Sequence, residues 1–290
     1  YHTEFVSKRS LSSVAVWESS KRTFGDSRRR SAQWLPLVQR CLAIKLKDSA
    51  NTAVLLAQAP IIAIVITMVF GKESGNVTSE SSWHESSHAA STTVFLLALT
   101  ALWFGCSNSV REIVAEWSIY QRERMVNLRI VPYIGSKCVV LGSLCVAQCL
   151  ILLLIVHRGC GLEGPWFSML MLLVIVALVG LSIGLMVSAL VRTSEVAIAI
   201  LPLILLPMVI LGGVLQPLHK MGASSKLAAY VMPSRWAFES LLLMESQERG
   251  GSQVVTSQPT GRDDAIMART RTKDMAENFF PRDQHRTSIF

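Results

Sequence analysis

An all-α fold, a polytopic transmembrane helical bundle, is the class this sequence predicts, and three observations predict it. Apolar residues make up 51% of the 290, and they sit in blocks instead of amphipathic stripes. Several blocks approach the ~20 residues a helix needs to cross ~30 Å of hydrocarbon. Charged residues are only 17% of the chain, against ~25% in soluble domains. Lys and Arg gather in alternate connections between the blocks, the bias that orients short loops. Every block is expected to be helical, because lipid offers no partner to an unpaired backbone group.

The elements follow in chain order. Residues 1–48 are basic and Ser-rich, with no apolar core of a signal peptide. They begin at Tyr1, not at a start methionine, and are expected to form a cytoplasmic basic linker within a longer protein. The first span is expected at about 50–70, "ANTAVLLAQAPIIAIVITMVF", with Pro60 inside it. A Ser-rich loop follows, with the sequon Asn76-Val77-Thr78, expected to be unused in a bacterial protein. The second span lies at about 91–107. The third, about 135–156, and the fourth, about 166–191, are joined by the tight turn "HRGCGLEGP". The fifth, about 196–215, follows "RTSE" and carries Pro202 and Pro207. The transmembrane domain is therefore read as 49–215, and 216–290 as an extracytoplasmic polar tail.

Orientation follows from the basic residues. Arg28, Arg29, Arg30, Arg40, Lys45 and Lys47 precede the first span, and Arg111, Arg122, Arg124 and Arg129 follow the second. The first outer loop holds only Lys72 and the 157–165 turn only Arg158. Basic short loops stay in the cytoplasm. The protein is expected to be integral to the cytoplasmic (plasma) membrane, multi-pass, with its N-terminus cytoplasmic. Five spans leave the tail outside despite its bases, which suggests a final returning span beyond the C-terminus.

Between the second and third spans lies "REIVAEWSIYQRERM", Arg111 to Met125. On one helix, Ile113, Val114, Trp117 and Tyr120 share a face, and the charges occupy the others. This is either a solvated interfacial helix or a surface that presents charge to a cytosolic partner. Pro132 is expected to end it, and Tyr133 and Lys137 to anchor the third span at the interface.

Several function classes are excluded or disfavoured. The formal charge of +8 is placed for membrane topology, not for nucleic acid. The six cysteines show no CxxC or Cys/His metal spacing, and those in apolar runs act as small hydrophobes. No ionisable residue lies mid-span, which disfavours proton-coupled carriers and intramembrane hydrolases. A pathway lined by Asn51, Gln58, Thr67 and Gln148 would suit an apolar or amphiphilic substrate. No GxxxxGK[ST] loop occurs, so the chain cannot bind ATP in that manner and is not expected to be an enzyme. Gly180 and Gly184, with Ser188 one turn on, allow close helix contact, within one subunit or along a pathway between two halves. Pro202, Pro207, Gly212 and Gly213 form either a static kink or a mobile outer gate.

Four segments together carry a family resemblance. "E-x-x-I-Y-x-R-E-R" at Glu116 to Arg124, followed by "PYIGSK" at Pro132 to Lys137, resembles the first cytoplasmic loop of ABC-2 type permeases of the G-subfamily kind. "LKDSANTAVLLAQAPIIAIVITMVF" resembles their connecting helix and first span. "GLSIGLMVSALVRTSEVAIAILPLILLPMVILGGVLQPL" resembles the fourth and fifth spans. "PSRWAFESLL" resembles the re-entrant segment before the last span. The resemblance runs from about Trp34 to Met244 and is nearest to bacterial fusions of a forkhead-associated domain, an ATPase domain and a permease.

The resemblance implies the permease part of an ATP-driven ABC exporter, with five of six expected spans present. It makes Arg111–Met125 a cytoplasmic coupling helix, with Arg111, Glu112, Glu116, Tyr120, Arg122, Glu123 and Arg124 as its contact residues. Pro233, Ser234, Arg235, Trp236 and Glu239 become the re-entrant segment. The implied partners are a nucleotide-binding ATPase domain, fused or separate, a second permease half in a homodimer, and membrane lipid. No cofactor is expected in this chain, and ATP and Mg are implied for the ATPase. Ser118 stands where eukaryotic relatives often carry Pro. The rival reading is a truncated, non-transporting membrane scaffold.

Overall fold

A computed structural model describes residues 34–74, 80–125, 130–216, 221–256 and 279. These residues form helices α1 (34–47), α2 (Ser49–Ser74), α3 (Glu80–Ser109), α4 (Glu112–Ala115), α5 (Trp117–Met125), α6 (Ile130–Gly159), α7 (Trp166–Leu190), α8 (Ser194–Ile210), α9 (Ala223–Val231) and α10 (Pro233–Thr256). No strand occurs among them. The sequon at Asn76 and most of the polar tail lie outside the described residues.

Among the described residues, four helical stretches are long and apolar enough to cross a membrane: Ser49–Gly71, Ser86–Ala115, Ile130–Gly159 and Trp166–Leu190. The expected fifth span is a shorter apolar helix. α8 has 17 residues and stops at Ile210, not Leu215. At 1.5 Å per residue it is about 25 Å long. Turns at 211–216 follow, and Gly213 has φ 100. Pro132 also behaves differently from expectation. α5 already ends at Met125, and Pro132 lies in the first turn of α6, where a missing N–H costs nothing.

The chain divides into two compact units. The first comprises Tyr1–Ser49 and Tyr120–Val140. Its described part packs α1 with the end of α5 and the start of α6. Tyr120 and Tyr133 are buried with ring centroids 5.0 Å apart, and the Lys137 ammonium lies 5.7 Å from the Tyr133 ring. Arg40 of α1 pairs with Glu123 of α5 on a part-exposed edge.

The second unit comprises Ala50–Ile119 and Leu141–Phe290. α3 is its centre: Ala90, Val94, Leu97, Ala98, Ala101, Leu102 and Phe104 are all fully buried. The hydroxyls of Ser91, Thr93 and Ser109 return to the carbonyls of Ser87, Ala89 and Gly105, so these three are satisfied within the helix. α7 lies along α3. Its buried stripe runs Met169, Leu173, Ala177, Gly180, Gly184 and Ser188, at three- and four-residue steps.

Glycine makes that contact possible. A Cβ on Gly105 would meet Leu181 N at 2.5 Å and the Ala177 carbonyl nearer still. One on Gly180 would strike the Leu102 carbonyl group, whose carbon stands 3.2 Å away. The two backbones touch directly, as small residues allow in lipid. α2 has a narrower buried face of Leu55, Ala59, Ala63 and Ile66, while Val54, Ile61, Val65 and Met68 face outward, Met68 at 82% exposure. An exposed apolar face suits lipid as solvent.

Two turns shape the bundle. α6 closes with Leu162 N donating to His157 O at 3.1 Å, and Gly161 has φ 59. This is a glycine C-terminal motif, which reverses the chain into α7. After α8, α10 folds back on α3, α7 and α8.

Candidate functional site

The charged segment is not one helix. α4 covers Glu112–Ala115, the backbone turns at Glu116 (φ −100, ψ 10), and α5 resumes at Trp117. The expected apolar face is broken with it. Ile113 and Tyr120 are buried, but Trp117 is 47% exposed. A tertiary cap holds the start of α4. Ser188 Oγ, on α7 and 1% exposed, accepts from Ile113 N at 2.9 Å and Val114 N at 3.0 Å. Arg111 occupies the N-cap position of α4 and makes no side-chain cap bond. A hydroxyl from another helix therefore satisfies two of the donors that a helix start leaves unpaired.

The predicted coupling residues distribute as follows. Arg111 and Arg122 are exposed, and Glu112 and Glu116 are half-buried. Tyr120 stacks on Tyr133, and Glu123 engages Arg40, both within the first unit. The Arg124 side chain lies outside the described residues. Gly180, Gly184 and Ser188 form one stripe of α7 directed at α3 and α4. A Cβ on Gly184 would meet Ser109 Oγ and, at 2.8 Å, Cys106 O.

Amides link three helices in the bundle interior. Asn108 Nδ2 of α3 donates to Gln148 Oε1 of α6 at 2.6 Å, and Gln148 Nε2 donates to Leu55 O of α2 at 2.7 Å. Asn108 and Gln148 are 3% and 0% exposed. Gln148, expected to line a pathway, is thus spent on an intrachain clasp. Gln58 Nε2 and Thr67 Oγ1 are buried without a hydrogen-bond partner. Thr67 is packed against Gly159, where a Cβ would meet its Oγ1 at 2.8 Å.

The gate and re-entrant candidates come together around the end of α8. Pro202 is exposed and Pro207 half-buried, both inside the helix. Gly212 lies under the Phe95 ring, and a Cβ there would meet Phe95 Cζ at 2.8 Å. Phe95 makes an edge contact with Phe238 of α10 at 5.4 Å, and Phe238 makes another with Phe279 at 5.6 Å. Pro233 opens α10, and Ser234 Oγ donates to Met208 O at 2.7 Å. Arg235 is 2% exposed, with its guanidinium 4.4 Å from both the Tyr230 and Trp236 rings. Its Nη2 lies 3.3 Å from the Glu239 carboxylate, and Trp236 Nε1 donates to Tyr230 O. A buried cation thus has aromatic faces and an anion around it.

Sequence reasoning missed Glu245. It is fully buried on α10 and accepts from Glu163 N at 3.2 Å and Gly164 N at 2.9 Å. His157 Nε2 and Gly164 O, 3.1 Å apart, close the same turn. The only local signal was a carboxylate two residues beyond a run of leucines. Asn108 was missed too, although an amide beside an apolar run is itself a cue. No His, Cys, Asp or Glu group suited to a metal occurs among the described residues.

Residues 32–245 match the family model described as ABC-2 type transporter. Over 151 residues the chain is 24% identical to an ABC transporter ATP-binding/permease protein of Mycobacterium tuberculosis (strain H37Rv). That match takes in 49% of this chain but 17% of the relative, so the chain spans under a fifth of that protein's length. With the family match running over most of its length, and with helices fit to cross a bilayer, the chain belongs to the ABC-2 type transporter family and is an integral membrane component of a transporter.

Proposed function

We propose that the chain is the permease part of an ATP-driven exporter of the G-subfamily kind, worked by an ATPase domain that grips the segment from Arg111 to Met125. The observation that carries this reading is the charged pair α4–α5. It joins two apolar helices of spanning length, displays Arg111 and Arg122 to solvent, and is fastened at its start to α7. The bias of Lys and Arg puts this segment and the N-terminus in the cytoplasm, where nucleotide is found. ATP is bound with Mg and hydrolysed by the ATPase domain. The relative's fused ATP-binding and permease parts support that arrangement. A second copy completes the pathway, and the α8–α10 corner with Pro202, Pro207, Gly212 and Gly213 lies at its outer end.

The test uses the complete ATPase–permease protein with a photo-crosslinking amino acid at Ser118, an exposed position on α5. Irradiation should join it to the ATPase domain. The double charge reversal Glu116→Lys/Glu123→Lys should reduce that product at least tenfold. A crosslinker at lipid-facing Leu203 should give none. No ATPase crosslink from position 118, or an undiminished one in the double variant, removes the coupling role.

A further inference from the structure

The small-residue stripe of α7 ends in a hydroxyl with a different use from the two glycines before it. Gly180 and Gly184 only make room for α3. Ser188 binds: its Oγ holds Ile113 N at 2.9 Å and Val114 N at 3.0 Å, across a chain separation of 75 residues. We propose that Ser188 is the joint through which displacement of the charged segment is carried to α7. The proposal rests on the coupling function proposed above.

The geometry favours this side chain for three reasons. First, α4 is a four-residue helix, far too short to hold its own shape, since one turn fixes several dihedrals for one bond. Its position is set from outside, and the Ser188 bonds are polar contacts that tie it to α7. Second, the joint is dry. Ser188 is 1% exposed and Ile113 is buried, so water cannot replace the hydroxyl cheaply, and two N–H donors would lose their acceptor together. Third, α7 is stiff where the joint pulls on it. It runs without a proline from Trp166 to Leu190 and touches α3 backbone to backbone. A push on α4 therefore reaches α7 through two hydrogen bonds. On the far side, the turn at Glu116 lets α5 take its own direction.

The experiment uses the complete ATPase–permease protein in lipid nanodiscs. An environment-sensitive fluorescent amino acid is placed at Ser118, or at Leu190, the 75% exposed end of α7. A non-hydrolysable ATP analogue is the probe. In the parent protein both reporters should respond. In Ser188→Ala the reporter at 118 should still respond, while that at 190 falls at least fivefold and the melting temperature stays within a few degrees. Ser188→Thr, which keeps the hydroxyl, should restore the response at 190 to within twofold. Ser188→Cys keeps the volume with a weaker acceptor and serves if the alanine variant does not fold. A full response at 190 in Ser188→Ala or Ser188→Cys overturns the joint alone. No response at 118 in the parent overturns the coupling reading and the joint with it.

Discussion

Replacing Gly105 with alanine tests what holds the bundle together. The added Cβ would stand 2.5 Å from Leu181 N and 2.9 Å from Gly180 C, with the Ala177 carbonyl closer. All three are backbone atoms, so no rotamer change relieves the overlap, and α3 and α7 must separate by on the order of 1 Å in a close-packed interior. Overpacking costs ~1–3 kcal/mol, and the rigid surroundings place this case at the upper end. Alanine's helix preference over glycine returns about 1 kcal/mol. The net loss is ~2 kcal/mol, and at ~2–4 °C per kcal/mol the midpoint falls by ~4–8 °C. Gly180→Ala should be nearly as damaging, because its contact is also backbone, at Leu102. Gly184→Ala should cost less, because its nearest atom is the Ser109 hydroxyl, which can rotate, and its closest backbone contact, Cys106 O at 2.8 Å, is longer than those of Gly105 and Gly180. Gly142→Ala is the control: it meets only a leucine methyl, Leu178 Cδ2, at 3.3 Å. The assay is heating in mild detergent followed by fluorescence-detected gel filtration of the surviving fraction. Equal midpoints for Gly105→Ala and Gly142→Ala would refute the backbone contact as the main link between α3 and α7.

Two further outcomes follow from buried polar groups. Gln148→Leu leaves Asn108 Nδ2 with only the weak acceptor Cys145 Sγ at 3.4 Å and removes the amide that reaches Leu55 O, and should lower stability by ~1–3 kcal/mol. The double variant Asn108→Leu/Gln148→Leu should recover part of that loss, and a double-mutant cycle in thermal unfolding reads the coupling; strict additivity would contradict the clasp. Glu245→Ala leaves Glu163 N and Gly164 N without their carboxylate, at ~1–3 kcal/mol. Protease cleavage in the 160–165 turn should accelerate several-fold, less so in Glu245→Gln, and an unchanged cleavage rate would show that the turn holds itself.

The helices that depend only on length and hydropathy were legible in the sequence. The apolar blocks at 50–70, 135–156 and 166–191 lie within a residue or a few turns of α2, α6 and α7. What the sequence hid was set by partners far along the chain or by one signal outvoting another. "VILGGVL" is apolar throughout, so hydropathy carried the fifth span to Leu215, although Gly212 and Gly213 mark a helix end. Gly213, at φ 100, indeed lies just past the end of α8. The break at Glu116 leaves no mark in the periodicity, which continues across it, and the cap that holds the start of α4 comes from Ser188. Pro132 was ambiguous between ending one helix and starting the next, because proline serves both places. Among the candidate residues, the small-residue stripe was readable from its spacing. The pairing of Asn108 with Gln148, and of Glu245 with the 163–164 backbone, joins residues 40 and more than 80 positions apart, and no pattern in one segment announces it.

Several contacts of the second unit converge on α7. Glu245 fixes the turn that leads into its first residue, Gly105 and Gly180 press its middle against α3, and Ser188 fastens its last turn to α4. A helix tied at both ends and along its length moves with its neighbour or not at all, because packed interiors switch between discrete arrangements instead of bending continuously. α8 is built differently. Pro202 and Pro207 remove the backbone bonds that would otherwise reach Ile198 O and Leu203 O, while its far end is held where Ser234 reaches Met208 O and Gly212 lies under Phe95. The compliant stretch of α8 is therefore its proline-bearing body, from Thr193 to Pro207. The glycines at 212 and 213, which the sequence put on equal footing with the prolines as a gate, sit in the fixed part.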